Sequence, residues 1–242
     1  MKKKTLLTII FILFPIFVLS QTLHIHKNDG TTVIDVIISE IDSITFTTYG
    51  TPCQGIPNVT YEGKTYHTVQ IGDQCWLKEN LDVGEMIQGV AMTDNAILEK
   101  YCYDNNPSNC ETFGGLYQWN EAMQYVATEG VQGICPSGWH IPTNAELQIL
   151  GDAVGGDANS LKAVGEGTGD GAGTNTSGFS GLLAGAGGSN SFGNLHIHGN
   201  FWSSTKVPLS NPNFLGLSND GGGIYFSSWD RNAGFSIRCL KD

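Results

Sequence analysis

The sequence lacks the short motifs that identify several large enzyme classes. It contains no GxSxG, HExxH or P-loop pattern, so a serine hydrolase elbow, a zinc protease helix and a nucleotide phosphate cradle all lack support. It also contains no CxxC pair, which removes the usual basis for a structural zinc site. Carboxylate pairs that could catalyse hydrolysis cannot be recognised from spacing alone.

The sequence is also poor in basic residues. It has 12 Lys and Arg against 23 Asp and Glu, giving a formal net charge of -11. Such a surface repels nucleic acid and anionic lipid headgroups, so neither is expected as a partner. The acidic residues are scattered, which is typical of a surface that favours solubility, and attraction of divalent cations is the alternative.

Only one long hydrophobic run is present, and it lies at the N-terminus. Residues 1–20 contain three lysines, an apolar stretch and a small residue at the end, which predicts a secretory signal peptide. The first cysteine is Cys53, so a lipid-anchored cysteine at the cleavage point is not expected. The sequence predicts a secreted protein of the periplasm, cell surface or exterior, with no membrane insertion after cleavage.

Residues 21–49 are predicted to form a small N-terminal β unit. Alternating residues flank the turn around 28–30, which indicates a hairpin, and a third strand is expected over 43–47. His24 and His26 fall on one face of a strand, and a polar face explains them better than a metal site without a third ligand. Residues 50–58 have the composition of a linker.

Residues 59–242 are predicted to form the main domain, of the α+β class. A first hairpin is expected around the Glu62-Gly63 turn, and short strands are expected near the C-terminus. Two helices are expected over 115–126 and 143–156, the second with a capping box. The segment 151–199 contains fifteen glycines and offers little to bury, which predicts a long loop region.

Six ordered blocks carry a family resemblance over most of this domain: "GKTYHTVQIGDQCWLKENL", "YCYDNNPSNCETFGGLYQWNEAM", "GICPSGWHIPTNAELQIL", "GFSGLLAG", "FWSST" and "GFSIRCLKD". From about Val59 onward, the chain resembles the Fibrobacter succinogenes major paralogous domain of exported bacterial proteins. The resemblance implies a C-type lectin-like fold shared with formylglycine-generating enzymes. The chain departs from the pattern at Leu147 and in "AGAGGSNSF", so a ligand preference does not transfer.

Six cysteines in an exported chain predict three disulfides. Fifteen pairings are formally open, and proximity together with the implied fold favours one set. The expected pairs are Cys53 with Cys75, Cys102 with Cys110, and Cys135 with Cys239. A bonded Cys135 makes "CPSGWHIP" a rigid corner and not a nucleophile site. The resemblance to formylglycine-generating enzymes implies a closely spaced, copper-binding cysteine pair near the C-terminus, but this chain has only Cys239 there, so no copper site is expected.

Candidate ligand-binding residues lie in the C-terminal third. His196 and His198 are expected on one strand face near Trp202, although Trp202 fits a core position better. Trp229, Asp230 and Arg231 lie between the last strands, and aromatic faces beside polar groups suit sugar rings. No cofactor is predicted, but the oxygen-rich loops 103–109 and 168–175 could hold calcium without matching EF-hand spacing.

Together these patterns predict a secreted, non-catalytic recognition or adhesion domain that binds an extracellular glycan or protein. Two alternatives remain open at this point: an enzyme related to formylglycine-generating proteins, and a structural component of the cell envelope. The first requires reduced cysteine, whereas the recognition hypothesis predicts none.

Overall fold

A computed structural model describes residues 22–26, 32–37, 50–189, 191–206 and 211–242. The chain divides into two compact units, Met1–Thr47 and Thr48–Asp242. The predicted signal peptide, residues 1–20, lies outside the described residues. Within the described part, no helix has the length and apolar character that crossing a membrane requires.

The N-terminal unit contains an antiparallel strand pair. Strand β1 spans Thr22–His26 and β2 spans Thr32–Ile37, with Thr22 opposite Ile37. This pairing confirms the antiparallel strands predicted on either side of residues 28–30, which themselves lie outside the described residues. The predicted third strand over 43–47 falls outside the described residues.

In its described residues, the main domain contains two five-stranded sheets and a short two-stranded one. The first sheet has the order β3-β4-β5-β14-β8, and the second sheet has the order β10-β9-β11-β12-β13. Most pairings are antiparallel, while β9 with β11 and β6 with β7 run parallel. The strands are β3 Asn58–Tyr61, β4 Lys64–Ile71, β5 Gln74–Leu77, β6 Glu85–Met86, β7 Glu99–Lys100, β8 Trp139–His140, β9 Ala184–Gly187, β10 Phe192–Leu195, β11 His198–Lys206, β12 Pro212–Ser218, β13 Tyr225–Ser228 and β14 Leu240–Lys241.

Four α-helices accompany these sheets in the described residues, where the sequence predicts two. They are α1 Pro107–Phe113, α2 Trp119–Ala122, α3 Asn144–Ala153 and α4 Ala158–Leu161. The mixed α+β class is confirmed. The predicted first hairpin is also confirmed, since β3 and β4 meet at Glu62 and Gly63, both with positive φ.

The predicted second helix is confirmed as α3. Thr143 Oγ1 accepts a hydrogen bond from the Glu146 backbone N–H, and the Glu146 carboxylate accepts one from the Thr143 N–H. Both halves of the capping box are therefore formed. Beyond the helix, Gly155 has φ +64°, the left-handed conformation that commonly ends a helix.

The predicted helix over 115–126 is wrong in extent. Only Trp119–Ala122 is helical, because Leu116 pairs with Tyr101 in a β-bridge and Gln124 and Tyr125 adopt φ of 51° and 57°. Val126, the last residue of the predicted helix, is exposed. The apolar residues of 115–126 thus have the spacing of a helix, although the chain there does not form a continuous one.

The glycine-rich segment 151–199 is an integral part of the domain, which corrects the expectation of a loop region with little to bury. It contains α4, β9 and β10, and it buries Leu161, Phe179 and Leu183 completely. Helix α1 was also missed, although Asn106 Oδ1 caps it by accepting from the Ser108 N–H and Pro107 occupies its first turn. The polar residues Asn106 and Ser108, with Pro107 between them, therefore form the start of a helix and not a loop.

All three expected disulfides are confirmed. Cys53–Cys75, Cys102–Cys110 and Cys135–Cys239 have Cα–Cα distances of 5.7, 5.0 and 5.9 Å. The chain has no free cysteine. Three disulfides in a domain of this size are typical of an oxidising compartment.

A buried arginine joins the first sheet to the glycine-rich segment. Arg238 is 1% exposed, and its guanidinium donates to the carbonyl oxygens of Leu77 and Phe179 and to Asn80 Oδ1. The guanidinium carbon, Cζ, also lies 4.3 Å from the centre of the Phe179 ring. The hydrogen bonds and the ring face compensate in part for the loss of hydration.

Candidate functional site

A cleft of about 410 Å³ lies across one face of the second sheet. Every strand of that sheet contributes to its lining, and the segment after β13 completes it. A volume of this size is within the range of small-ligand sites. The lining residues are Ala186, Asn194, His198, Asn200, Phe214, Tyr225, Ser227, Trp229 and Phe235. We call this the aromatic cleft.

The floor of the aromatic cleft is continuous with the core. Phe214 packs against Tyr225 and Phe235 with ring centres 5.9 and 5.1 Å apart. Behind them, the fully buried Trp202 lies 4.3 Å from the Phe235 ring and donates its indole N–H to the Tyr117 carbonyl. The rings are therefore held by core packing, and the floor is rigid.

Trp229 forms the exposed aromatic wall of the cleft. Trp229 is 57% exposed, more than any other Phe, Tyr or Trp residue that is described as exposed. Its backbone N–H donates to the Pro212 carbonyl at 3.1 Å, which fixes the chain just after β13 to the start of β12. A large ring kept in water at the edge of a concave surface is typical of a binding site.

Polar groups converge on the same cleft from β11 and β13. Asn200 is 6% exposed, and its Oδ1 accepts a hydrogen bond from the Tyr225 hydroxyl at 3.2 Å. His198 Nδ1 is buried and has no hydrogen-bond partner within the described part of the chain. Burial raises the pKa of Tyr225, so this hydroxyl stays protonated at neutral pH.

A second cavity of about 420 Å³ adjoins the first and shares Ala186, Asn194 and Trp229 with it. Asp230 and Asn232 also line it, and the Asp230 carboxylate accepts the Asn232 backbone N–H at 2.9 Å. Ala186, Asn194 and Trp229 therefore line both cavities, and we call the two cavities together the groove.

Only some of the predicted binding residues line a cavity. His198 and Trp229 line the aromatic cleft, and Asp230 lines the adjoining cavity. Trp202 lies in the core, as the alternative interpretation of the sequence expected. Arg231 lines neither cavity, and its backbone carbonyl accepts the Trp119 N–H.

His196 does not share a strand face with His198, which corrects that expectation. It lies in the turn between β10 and β11 with φ +59°, and its ring contacts Phe113 at 5.4 Å between ring centres. Strand β11 begins at His198, so the alternation that joins His198, Asn200 and Trp202 on one face starts there.

Sequence reasoning missed four of the lining residues that matter most: Asn194, Asn200, Phe214 and Tyr225. One signal for them was present. Gly216 sits within β12 directly opposite Tyr225, and a glycine inside a strand often marks a close approach by a neighbouring group.

A buried lysine holds the hairpin that carries Tyr225. Lys162 is fully buried, and its ammonium donates to the carbonyl oxygens of Ser218 at 2.6 Å, Gly221 at 3.0 Å and Gly171. Ser218 ends β12, and Gly221 lies in the loop before β13. The lysine ammonium therefore links three backbone carbonyl groups next to the hairpin loop.

No group of three metal-ligating side chains occurs within the described ranges.

The "CPSGWHIP" segment contains the bonded Cys135 and leads into α3. His140 Nδ1 lies 2.7 Å from an Asp242 carboxylate oxygen, and Nε2 lies 3.1 Å from Glu146 Oε2. The Glu146 contact raises the pKa of His140, and Asp242 adds to this effect although burial opposes it. Burial would raise the pKa of Glu146, but bonds from His140 and Thr143 lower it to about 2. These charges stabilise the start of α3.

The main domain matches a protein-family model. The model described as the Fibrobacter succinogenes major domain matches residues 69–241, which is most of the main domain. Comparisons with curated proteins and with solved structures returned no match for the chain.

Proposed function

We propose that this chain, which belongs to the Fibrobacter succinogenes major domain family, is an exported recognition or adhesion domain. In this proposal the aromatic cleft binds an extracellular glycan or protein and no chemical step follows. The exposed Trp229 beside the buried polar groups of the cleft is the observation that carries it. Rigid aromatic surface beside hydrogen-bonding groups is the usual composition of a small-ligand site.

The proposal includes a C-type lectin-like fold and export from the cytoplasm. Two mostly antiparallel sheets, short helices and a bond between Cys135 and the last strand region support this fold assignment. Three disulfides support export, because such bonds are rare in reducing compartments.

The alternative function is an enzyme related to formylglycine-generating proteins. Such chemistry would need a reactive thiol, and all six cysteines here are in disulfides. A thiolate would form only after reduction of one of these bonds. Counting thiols in the exported protein under denaturing conditions tests this directly. The proposal expects none per chain, and one or two would favour the enzyme.

The recognition function can be tested with a printed glycan array and a peptide array probed in parallel. We expect binding to at least one class of probe, with at least a tenfold loss for Trp229→Ala. Phe226→Ala is a matched control, because Phe226 is also an exposed aromatic residue near Trp229 in sequence but does not line the cleft. Binding that survives Trp229→Ala, or no binding to either array, would rule the proposal out.

A further inference from the structure

We infer that the groove around Trp229 takes an uncharged oligosaccharide of at least two sugar rings, with one ring on each side of the indole. This inference rests on the proposed function and specifies its ligand. It is carried by the shape of the groove, by the lack of charged side chains in the lining of the aromatic cleft and by the chemistry of that lining.

The shape favours an extended ligand over a single sugar. The two cavities measure about 410 and 420 Å³ and share the Trp229 wall. Each is within the range of small-ligand sites, so one sugar ring would leave the other cavity empty. A chain that passes over Trp229 would contact both and would bury the indole, which is otherwise 57% exposed.

The charge of the lining excludes ionic recognition in the first cavity. Although the whole chain has a net charge of -11, no Asp, Glu, Lys or Arg among the described residues lines the aromatic cleft. The second cavity has one carboxylate, Asp230, which already accepts a backbone N–H. An anionic sugar would lack a cationic partner and would be repelled by the surrounding field, and a cationic peptide would find no carboxylate in the cleft.

The chemistry of the lining suits sugar hydroxyl groups. Asn194 and Asn200 present amides, Ser227 presents a hydroxyl, and His198 presents a buried Nδ1 without a partner in the described residues. A hydroxyl can donate or accept, so it can satisfy either tautomer of His198. The apolar face of a sugar ring would lie on Trp229, while its rim hydroxyls reach these polar groups.

The test is calorimetric titration with probes of defined length and charge. We would use glucose, mannose and galactose, their neutral di- and tetrasaccharides, and tetragalacturonic acid as the charged probe. We expect affinity to rise at least tenfold from monosaccharide to tetrasaccharide for one neutral series. Affinity should change less than twofold between 50 and 500 mM NaCl, because salt screens only charged contacts.

Two variants complete the design. Trp229→Ala should weaken tetrasaccharide binding at least tenfold with an unchanged melting temperature, and Trp229→Phe should retain part of the affinity. Phe226→Ala should behave as wild type. No neutral binding at millimolar concentration, equal affinity for mono- and tetrasaccharides, or tighter binding of tetragalacturonic acid would overturn the inference.

The outcomes also separate this inference from the proposed function. A peptide or a charged glycan that binds in a Trp229-dependent manner would overturn the neutral oligosaccharide but leave recognition by the cleft intact. A probe that binds Trp229→Ala as tightly as the wild type would overturn both the inference and the proposed function.

Discussion

Replacing Lys162 with methionine should destabilise the domain and loosen the cleft. The Lys162 ammonium is fully buried and donates to three carbonyl oxygens, those of Gly171, Ser218 and Gly221. Methionine has a similar length but no donor, so the variant tests the hydrogen bonds with little change of volume.

The magnitude follows from two opposing contributions. A buried acceptor left without a donor costs about 1–3 kcal/mol, and three acceptors are affected here. Removing the ammonium also removes the cost of its desolvation, which reduces the loss. We therefore expect the free energy of unfolding to fall by about 2–4 kcal/mol, a large part of the roughly 5–15 kcal/mol of a typical domain.

Urea unfolding with the disulfides intact measures the global effect, and limited proteolysis with thermolysin measures the local one. Cleavage should become faster within residues 165–172 and 219–223, which the ammonium joins. Lys78→Met is the control, because Lys78 is only partly buried, and it should change stability by less than about 0.5 kcal/mol. If Lys162→Met behaves like the control in both assays, the hydrogen bonds from Lys162 to the three carbonyl groups do not hold the hairpin.

Three further predictions follow from the core and the corner. Replacing Cys135 and Cys239 with alanine opens a loop of 104 residues and should lower the free energy of unfolding by about 4–5 kcal/mol in urea, and an unchanged midpoint would contradict this. The raised pKa of His140 means that its contribution to the free energy of unfolding is complete below about pH 6.5 and is lost as the pH rises through the folded-state pKa. His140→Gln should flatten this decline, and a variant with the wild-type pH profile would refute the ion pair with Glu146. Trp202→Ala should cost about 3–5 kcal/mol by thermal or urea unfolding, and a loss below 1 kcal/mol would mean that this ring is not a core residue.

The sequence predicts elements whose signals are local. The capping box at Thr143 and Glu146 needs only four consecutive residues, and it is present in the structure. The first hairpin follows from one turn and two alternating segments. The cysteine pairs are different, since their assignment depended on the family resemblance as well as on proximity.

The features that sequence reasoning missed depend on distant parts of the chain. Lys162 looks like an ordinary surface residue, because its partners are backbone carbonyls that carry no sequence signature. The helix predicted over 115–126 fails because Leu116 joins a β-bridge to Tyr101, a tertiary contact that overrides local spacing. The cleft draws on β9, β10, β11, β12 and β13, so no single segment reveals it.

Glycine has a different role here from the one that its abundance suggests. At Gly216, an added Cβ would lie 2.0 Å from ring atoms of Tyr225, so only glycine lets this ring lie flat across β12. At Gly187, an added Cβ would lie 2.8 Å from the Phe192 ring. These glycines make room for aromatic side chains on paired strands, whereas composition alone indicates loops.

This placement of glycine bears on the binding that we propose for the cleft. A site made of flexible loops would have to be ordered by its ligand, which costs about 0.5–1.5 kcal/mol for each side chain immobilised. Phe214 and Tyr225 instead project from paired strands over a packed core, with Gly216 giving the ring its space. The strand-borne part of the cleft therefore needs no ordering, and under the proposed function weak contacts with hydroxyl groups and a single exposed indole would be enough for recognition.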